Sequence, residues 1–344
     1  MTQTVKSTLF LPFEKGEIDV PEAGETALFL GAETHPFLRE FARIDCCQFW
    51  RAPAKAMEAA GYHAAQTFPP PERQGTYAAV LCLLPKQKEE AQAFLGQGAL
   101  ALSDSGILVA AAANDAGGGR IEKWFREMGF SSVRYLSKHK ARVVWAQKDF
   151  LEKGETAQKW AAQGQLQQIA IEGETCFSQP GLFGWNRIDE GSKILKDYLP
   201  DNLSGVGADF GCGYGYLARQ VLTKNPGIGR LYALDADARA VQAAQRNLEG
   251  FPVEAKWEDL TTPVSTLPLL DFIVMNPPFH AGKKTDQDTG QAFIRTARTA
   301  LKAGGRLFMV ANAHLSYERC LEDMFSDVQK HAEKSGFKIF EACV

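Results

Sequence analysis

Residues 206–218 read VGADFGCGYGYLA, and this stretch decides the fold. Its apolar start predicts a short buried strand, its alternate glycines predict a tight turn, and the residues after them open a helix. Gly211, Gly213 and Gly215 let the backbone approach a ligand closely, with amide N–H groups exposed at the helix start. This arrangement is typical of an open α/β sheet that binds its ligand at the carboxyl ends of the strands.

The next predicted strand, residues 231–234, is followed by an acid that indicates the ligand. Asp235 follows the glycine turn by about 20 residues, a spacing at which a carboxylate commonly holds ribose hydroxyls. Tyr216 stands where a dinucleotide-binding turn has its third glycine, which argues against NAD. Asp209 would repel a pyrophosphate, whereas it could receive a positively charged amino-acid group directly or through water. These residues predict an adenosine-type ligand with a cationic part.

Residues 271–279, DFIVMNPPF, predict a buried strand that ends in Asn-Pro-Pro-Phe. Pro277 and Pro278 cannot continue a ladder of hydrogen bonds, so the chain leaves the strand with carbonyl oxygens that are free to accept. The side-chain oxygen of Asn276 and the carbonyl of Pro277 could take the two N–H bonds of a planar amino group and localise its lone pair. Phe279 could stack on the attached ring. The motif favours methyl transfer to a planar nitrogen.

The predicted strands of the second half end at four candidate sites, which are, in chain order, Gly211, Asp235, Asp259 and Asn276. Ligands of open α/β sheets bind at the carboxyl ends of the strands, so we expect these sites to lie along one edge of one sheet. The elements predicted to complete the domain are a helix over 291–301, a strand over 306–312, a second helix over 317–325 and two closing strands that turn at Gly336.

The first half repeats part of this frame. In each half a buried strand precedes a helix that contains Gln-Ala-Phe, and a glycine and a strand ending in Asn follow. The interval 94–114 matches the interval 293–312 within one residue, which predicts an internal duplication. The first half lacks the glycine turn and the Asn-Pro-Pro-Phe ending. We therefore expect a degenerate recognition or structural domain over 1–150, a linker over 151–167 that could be helical, and a catalytic domain over 168–344.

The composition fits an intracellular enzyme. The chain has 344 residues, 45% of them hydrophobic and 23% charged, so it is globular and long enough for two domains. Its seven cysteines lack CxxC spacing and its six histidines lack a ligand pattern, so we expect neither disulfides nor a metal. No leader sequence opens the chain and no apolar run approaches roughly 18 residues, so we expect a cytoplasmic protein.

Together these motifs resemble the class I S-adenosylmethionine-dependent methyltransferases. The resemblance implies two tandem Rossmann-like α/β domains, each a doubly wound mixed sheet, of which the first is degenerate. It also implies S-adenosylmethionine as the cofactor, with Asp209 and the glycine turn at its amino-acid end. Asp235 would bind the ribose and Asp259 the adenine, while Asn276 would lie between cofactor and acceptor.

A closer resemblance rests on four segments: PGLF at 180–183, DEGS at 189–192, DFGCG at 209–213 and NPPFH at 276–280. They are similar to the bacterial ribosomal RNA guanine-N2 methyltransferases, and most similar to the small-subunit enzyme. The resemblance covers nearly the whole chain, although its specific motifs lie in the second half. It implies methylation of the exocyclic N2 amino group of a guanine, with Asn276, Pro277, Pro278 and Phe279 as catalytic residues.

The partner implied is ribosomal RNA, within a ribosomal subunit or an assembly intermediate, bound by a monomer. A net charge of −3 predicts no general attraction to phosphates. Lys283 and Lys284 are the expected phosphate contacts, because a base turned into the pocket would place its backbone beside them. Further basic clusters at 138–142 and 295–302 are expected to be ordinary solvated faces.

Several alternatives remain open from the sequence. Asn-Pro-Pro-Phe sites also serve large-subunit guanine-N2, adenine-N6 and protein glutamine-N5 methylation, and the motif does not separate these planar nitrogens. A noncatalytic ribosome assembly factor with a retained cofactor pocket is an alternative from a different class. An intact acceptor site argues against it, since a binding module needs no such site.

Overall fold

The computed structural model describes residues 3–148, 154–278 and 283–344. The chain divides into two compact units. The first comprises the chain up to Gln165 together with 179–181, and the second comprises 166–178 and 182–344. Each unit contains a seven-stranded mixed sheet, and the second also contains a two-stranded hairpin. Among the described residues, no helix is both long and apolar enough to cross a membrane.

The first unit alternates strands and helices. Its elements are α1 (Gln3–Glu14), β1 (Ala27–Leu30), β2 (Ile44–Cys47), α2 (Arg51–Ala59), β3 (Ala64–Ala65), β4 (Tyr77–Leu83), α3 (Lys88–Ala101), β5 (Leu102–Ala113), α4 (Ile121–Glu127), β6 (Arg134–Lys138), β7 (Ala141–Gln147) and α5 (Glu155–Gln163). The strand order is β3-β2-β1-β4-β5-β7-β6. The first five of these strands are parallel, and β7 runs antiparallel to both β5 and β6.

The second unit repeats this architecture after a hairpin. Its elements are β8 (Gln167–Ile171), β9 (Glu174–Ser178), α6 (Glu190–Tyr198), β10 (Gly205–Phe210), α7 (Tyr216–Lys224), β11 (Ile228–Asp235), α8 (Ala238–Asn247), β12 (Val253–Trp257), β13 (Leu270–Met275), α9 (Lys283–Ala300), β14 (Leu301–Asn312), α10 (Glu318–Glu322), β15 (Asp327–Lys334) and β16 (Phe337–Cys343). The strand order β12-β11-β10-β13-β14-β16-β15 is that of the first unit. The predicted pair of tandem Rossmann-like domains is confirmed.

The predicted internal repeat has a physical counterpart in the two sheets. A Cβ atom added at Gly31 would lie 3.2 Å from the ring of Phe94, and one added at Gly211 would lie 3.6 Å from the ring of Phe293. Both glycines follow the first strand of their sheet, and both have positive φ angles, 72° and 78°. The Phe of each Gln-Ala-Phe sequence therefore packs against the same turn in its own unit.

The core of the second unit is built around β13. Phe272 and the three residues after it are at most 1% exposed, so the strand is buried on both faces, as its continuous apolar run predicts. A Cβ atom added at Gly207 of β10 would lie only 2.1 Å from the ring of Phe272. The glycine lets the ring cover the neighbouring strand, and burying such a side chain contributes about 1.5–3 kcal/mol to stability.

The segment predicted to be a linker, 151–167, contains a packed helix. Helix α5 packs against α3 in the first unit, and a Cβ atom added at Gly96 would lie 2.6 Å from the carbonyl oxygen of Ala157. The glycine allows this close approach of the two helices. The sequence of α5 is polar and rich in Gln and Ala, so it does not show which side of the helix is buried. The buried side consists of Ala157, Trp160 and Ala161.

Helix α9 begins at Lys283, eight residues before the predicted start at Gln291. Residues 283–290 read KKTDQDTG, which has no apolar periodicity and ends in glycine, so the sequence predicted a loop. Gly290 is nevertheless required inside the helix, because a Cβ atom there would lie 2.0 Å from the hydroxyl oxygen of Tyr317. This glycine marks close packing rather than a helix boundary.

Candidate active site

The glycine turn has the tight, left-handed backbone that its sequence predicts. Gly211, Gly213 and Gly215 have φ angles of 78°, 54° and 93°, a region that disfavours other residues. The N–H groups of Gly211 and Cys212 both donate to the carbonyl oxygen of Leu234, at 2.8 and 2.9 Å. The turn is therefore fastened to β11, and Gly215 serves as the N-cap of α7.

A cleft opens beside this turn. Its walls come from the glycine turn, from the start of α7, from the segment before α6 and from the end of β13. The lining residues are Phe183, Gly184, Asp189, Ser192, Gly211, Cys212, Gly213, Tyr214, Tyr216, Leu217 and Asn276. Three of the predicted site residues, Gly211, Gly213 and Asn276, thus share one cleft.

Asp209 lies beneath the turn and is fully buried. Its Oδ2 accepts the N–H of Ala218 at 3.0 Å, which fixes the first turn of α7. Its Oδ1 is buried and has no hydrogen-bond partner among the described residues. Burial raises the pKa of this carboxyl to about 7, against the lowering effect of the Ala218 N–H, and the nearby Asp235 raises it further. A cationic group close to Asp209 would satisfy both the orphaned oxygen and the charge.

Asp235 ends β11 and holds the turn from the other side. Its Oδ2 accepts the N–H of Gly213 at 2.9 Å, and its Oδ1 accepts the N–H of Asp237 at 2.9 Å. Burial raises the pKa of Asp235 to about 6, although these backbone N–H groups oppose the shift. Each carboxylate oxygen has a second lone pair, so the side chain can also accept hydroxyl groups from a ligand.

Asp259 does not line the cleft. It lies two residues beyond Trp257, the last residue of β12, which pairs with Asp235. Its Oδ1 accepts the N–H of Thr261 at 3.0 Å and the hydroxyl of Thr261 at 2.6 Å, so the side chain stabilises the turn after the strand. The structure brings Asp259 to the predicted edge of the sheet.

The side-chain amide of Asn276 has one defined orientation. Its Nδ2 donates to Oδ1 of Asp189 at 2.7 Å and to Oγ of Ser192 at 2.8 Å. A carboxylate can only accept, so the amide nitrogen must face Asp189 and the amide oxygen must point away. That oxygen is buried and has no hydrogen-bond partner among the residues described. Asn276 therefore presents an unsatisfied acceptor at a wall of the cleft.

The rest of the Asn-Pro-Pro-Phe motif is only partly described. Pro277 is buried and Pro278 is exposed, both directly after β13, where no strand hydrogen bonds continue. Phe279 lies outside the described residues. Lys283 and Lys284, the predicted RNA contacts, form the start of α9.

Asp189 and Ser192 are site residues to which the sequence assigned no role. Asp189 is the N-cap of α6, where its Oδ1 accepts the N–H of Ser192 at 2.9 Å. The signal was present, since Asp followed three residues later by Ser at the start of an amphipathic segment predicts a capped helix. The sequence could not show that this cap also contacts Asn276, because the two segments are 87 residues apart.

The first unit has the same turn, with other residues at the positions predicted to bind the ligand. The N–H groups of Gly31 and Ala32 both donate to the carbonyl oxygen of Cys47 at 2.9 Å, as the corresponding groups of the second unit do to Leu234. Strand register places Leu30 against Cys47 and Cys82, and Phe210 against Leu234 and Met275. The residues that replace Asp209, Gly213, Asp235 and Asn276 are accordingly Phe29, Glu33, Gln48 and Leu83.

Two of the replacing side chains, Gln48 and Glu33, bond to other groups of the first unit. Gln48 donates its Nε2 to the carbonyl oxygen of Ala32 at 2.8 Å and accepts the N–H of Trp50 at 3.0 Å. Glu33 forms an ion pair with Lys6 at 3.1 Å. These polar side chains are hydrogen-bonded or ion-paired within the unit. This internal pairing is the physical reason for calling the first unit degenerate.

Comparison with known proteins agrees with this geometry. The family model described as "Methyltransferase small domain" matches residues 174–341. The ribosomal RNA small subunit methyltransferase C of Psychromonas ingrahamii is 34% identical over 189 residues, 55% of this chain and 53% of that protein. The protein of the same name from Pseudomonas paraeruginosa is 31% identical over 307 residues, 85% of this chain and 87% of that protein. The match thus spans about half of the first relative and most of the second.

A solved structure has the same fold over both units. The T. thermophilus 16S rRNA N2 methyltransferase, in complex with AdoMet and guanosine, superimposes with a TM-score of 0.80 at 24% identity. The superposition covers 98% of this chain and 91% of that chain. Together with the extent of the Pseudomonas match, the comparisons show that the chain belongs to the ribosomal RNA small subunit methyltransferase C family.

Proposed function

We propose that this protein transfers a methyl group from S-adenosylmethionine to the exocyclic N2 amino group of a guanine in small-subunit ribosomal RNA. The observation that carries the proposal is the buried Oδ1 of Asn276, which has no hydrogen-bond partner in the described part of the chain and belongs to a residue that lines the cleft beside the glycine turn. A buried acceptor without a partner is costly unless a ligand supplies the donor. An amino group on a planar base is such a donor.

The acceptor amino group needs activation, because its lone pair is delocalised into the base. Asn276 Oδ1 and the Pro277 carbonyl accept its two N–H bonds, which favours pyramidal geometry and localises the lone pair on nitrogen. The same oxygens keep their hydrogen bonds to the amino group as it becomes acidic on forming the new bond, and the proton leaves to water. Phe279 stacks on the base and orients it. No separate general base is needed in this scheme.

The cofactor side is formed by the glycine turn, the buried Asp209 and the half-buried Asp235. S-adenosylmethionine would supply a methyl group bound to a sulfonium sulfur, and the neutral thioether that remains is a good leaving group. Asp209 and the turn around Gly213 receive its amino-acid end, and Asp235 and Asp259 receive its ribose and adenine. The residues fit such a ligand, because Asp209 has an orphaned oxygen and a Cβ atom at Gly213 would meet no atom within 4 Å. Holding donor and acceptor in line supplies up to about 7–11 kcal/mol of the barrier reduction.

Asp189 and Ser192 position the acceptor. They bind the Asn276 amide nitrogen, so the amide cannot rotate to present N–H groups to the incoming amino group. A rotated amide would replace an acceptor with a donor and would repel the substrate. The cap of α6 therefore sets the chemistry of the site through Asn276.

The partner is ribosomal RNA in a small subunit or an assembly intermediate, because the exocyclic amino group of a paired base must be turned out of its helix to reach the cleft. Lys283 and Lys284 contact the RNA backbone beside the turned-out base. The protein acts as a monomer in the cytoplasm, where ribosomal subunits are its substrate.

The test is incorporation of labelled methyl groups into small subunits, large subunits and free ribosomal RNA, followed by digestion to nucleosides. We expect label in N2-methylguanosine from small-subunit RNA. Label in N6-methyladenosine, in large-subunit RNA or in protein glutamine would replace the proposal by one of its enzymatic alternatives. Cofactor binding without any transfer would identify a noncatalytic assembly factor.

A further inference from the structure

The hairpin of β6 and β7 carries positive charge without acidic neighbours in its own strands. Its basic residues are Arg134, Lys138, Lys140 and Arg142, and no Asp or Glu occurs between residues 134 and 147. Arg134 forms an ion pair with Glu17 at 3.4 Å. Lys138 and Lys140 are exposed, and we find no ion pair for them within the described ranges. The tip of this hairpin therefore carries two unneutralised cations.

One of these cations occupies a position that favours glycine. His139 and Lys140 have positive φ angles of 55° and 57°, whereas the matching turn of the second unit has Ser335 at 53° and Gly336 at 81°. The carbonyl of Lys140 accepts the N–H of Asn114, as the carbonyl of Gly336 accepts that of Ala313. Lys140 is thus the structural counterpart of Gly336, in a conformation that disfavours a side chain. Lys140 therefore keeps a side chain at a position where the backbone conformation favours glycine.

An exposed aromatic ring accompanies the cations. Tyr135 is 50% exposed, and the guanidinium of Arg142 lies 4.7 Å from its ring centroid. Both side chains are on one face of the hairpin, since Arg142 pairs with Ser137 and Tyr135 pairs with Val144. By the same alternation Lys138 is on the opposite face, so the ring lies beside Arg142 and the two lysines lie at the tip of the same hairpin. An exposed ring and cations on one hairpin can bind single-stranded nucleic acid, through stacking and phosphate contacts together.

The matching hairpin of β15 and β16 shows that the architecture does not require this charge. There Lys330 pairs with Glu333 at 2.9 Å, Lys338 pairs with Glu318 at 2.7 Å and His331 lies 2.8 Å from Glu341. The two hairpins occupy the same place in sheets of the same strand order. Three of the four basic residues of this hairpin are paired with acids, one of which, Glu318, lies in α10. The fourth, Lys334, is exposed and corresponds in position to Lys138.

We propose that the β6–β7 hairpin is a ribosomal RNA-binding surface of the first unit. Lys138, Lys140 and Arg142 contact phosphates, and Tyr135 stacks on an unpaired base. The identity of the polyanion as ribosomal RNA rests on the proposed function. The surface differs from the expected solvated face because Lys138 and Lys140 have no ion pair among the described residues, whereas three of the four basic residues of the other hairpin are paired.

The experiment measures the affinity of the full chain for 16S ribosomal RNA transcribed in vitro, over a range of KCl concentrations. The variant Lys138→Gln/Lys140→Gly removes both cations and installs the glycine that the turn favours. We expect the slope of log affinity against log salt to become shallower by about 0.7 for each lost single-strand phosphate contact. Tyr135→Leu should weaken binding at least about fivefold and leave the slope unchanged.

The matched control is Lys334→Gln, at the position of Lys138 in the other hairpin, and it should leave the slope unchanged. Thermal melting of Lys140→Gly should show equal or higher stability, which separates lost binding from lost folding. An unchanged slope in the double variant, or an equal change in Lys334→Gln, would overturn the proposal. Methyl incorporation by the unaltered chain is measured in parallel, so that failure of the proposed function is seen independently of RNA binding.

Discussion

The amide nitrogen of Asn276 donates to the carboxylate of Asp189 at 2.7 Å, across 87 residues of sequence. This hydrogen bond joins the end of β13 to the N-cap of α6 and leaves the Asn276 oxygen as a buried acceptor. The N-cap of α6 therefore fixes the orientation of the amide at the end of β13, and that orientation decides which atom of Asn276 is the acceptor.

Two substitutions at Asp189 separate its capping role from its positioning role. Asn at this position caps a helix and accepts from the Asn276 amide, whereas Ser caps the helix but is too short to reach Asn276. We expect Asp189→Asn to retain most of its turnover and Asp189→Ser to lose roughly 10- to 100-fold, equivalent to a lost charged hydrogen bond of about 1.5–3 kcal/mol. Steady-state kinetics and thermal melting measure both. Similar kcat values for the two variants would show that Asp189 acts only as a cap.

Removal of the acceptor itself should be more severe. We expect Asn276→Ala to lower kcat by roughly 10²–10³-fold, the usual effect of deleting one preorganised polar group at a reacting centre. Cofactor affinity should survive, because the glycine turn and Asp235 are untouched. Calorimetric titration with S-adenosylmethionine, next to single-turnover kinetics, measures the two effects separately. Lost cofactor binding with normal turnover of the remaining bound fraction would contradict the role given to Asn276.

The two buried acids predict the pH dependence of cofactor binding. Burial raises the pKa of Asp209 from 3.8 to about 7 and that of Asp235 from 3.8 to about 6. A cationic ligand favours the ionised carboxylates, so binding releases protons below about pH 7. We expect affinity for S-adenosylmethionine to rise with pH through the range from about 6 to 7, by up to about tenfold per pH unit for each proton released. Asp209→Asn should flatten the profile, and an affinity that falls as pH rises would refute the assignment.

The same shifts fix the sign of the stability change in the ligand-free protein. Folded Asp209 and Asp235 hold protons at pH values where the unfolded chain has lost them. The native state therefore binds more protons between pH 3.8 and about 7, and their contribution to the free energy of unfolding falls as pH rises through that window. Denaturant unfolding of the unaltered chain and of Asp209→Asn should show this decline, and the variant should show less of it.

The degenerate turn predicts one cofactor per chain. In the first unit Phe29 and Gln48 replace the two buried acids, and Glu33 replaces the open glycine at Gly213. Calorimetry with S-adenosylmethionine should therefore give a single site, and Gly213→Asp should remove it, because a carboxylate would then occupy the open side of the turn. A second site that survives Gly213→Asp would mean that the first unit has kept a binding function.

Much of the fold could be predicted from the sequence because the patterns that predict it are local. The glycine turn, the buried strand before Asn276 and the closing turn at Gly336 each follow from a few adjacent residues, and all lie where the sequence predicts them. Helices α5 and the start of α9 were harder to predict, since their sequences are polar and their stability comes from packing against other elements. Gly96 and Gly290 mark that packing, although in the sequence alone each suggests a break.

The candidate site shows the same division. Gly211, Gly213 and Asn276 line one cleft because parallel strands bring their carboxyl ends together, a rule that the sequence can use. The contact of Asp189 and Ser192 with Asn276 depends on how α6 packs beside β14, and no local pattern encodes that distance. Asp259 lies at the predicted end of its strand, where it also stabilises its own turn through Thr261, and its contact with adenine stays a prediction.

The most direct test of the account is the nucleoside product formed on small ribosomal subunits by the unaltered chain and by Asn276→Ala. After reaction with labelled S-adenosylmethionine and complete digestion, chromatography with mass spectrometry identifies the modified nucleoside. We expect labelled N2-methylguanosine from the unaltered chain and a loss of roughly 10²–10³-fold in its rate of formation by Asn276→Ala. Label in any other nucleoside, or equal rates for the two proteins, would contradict it.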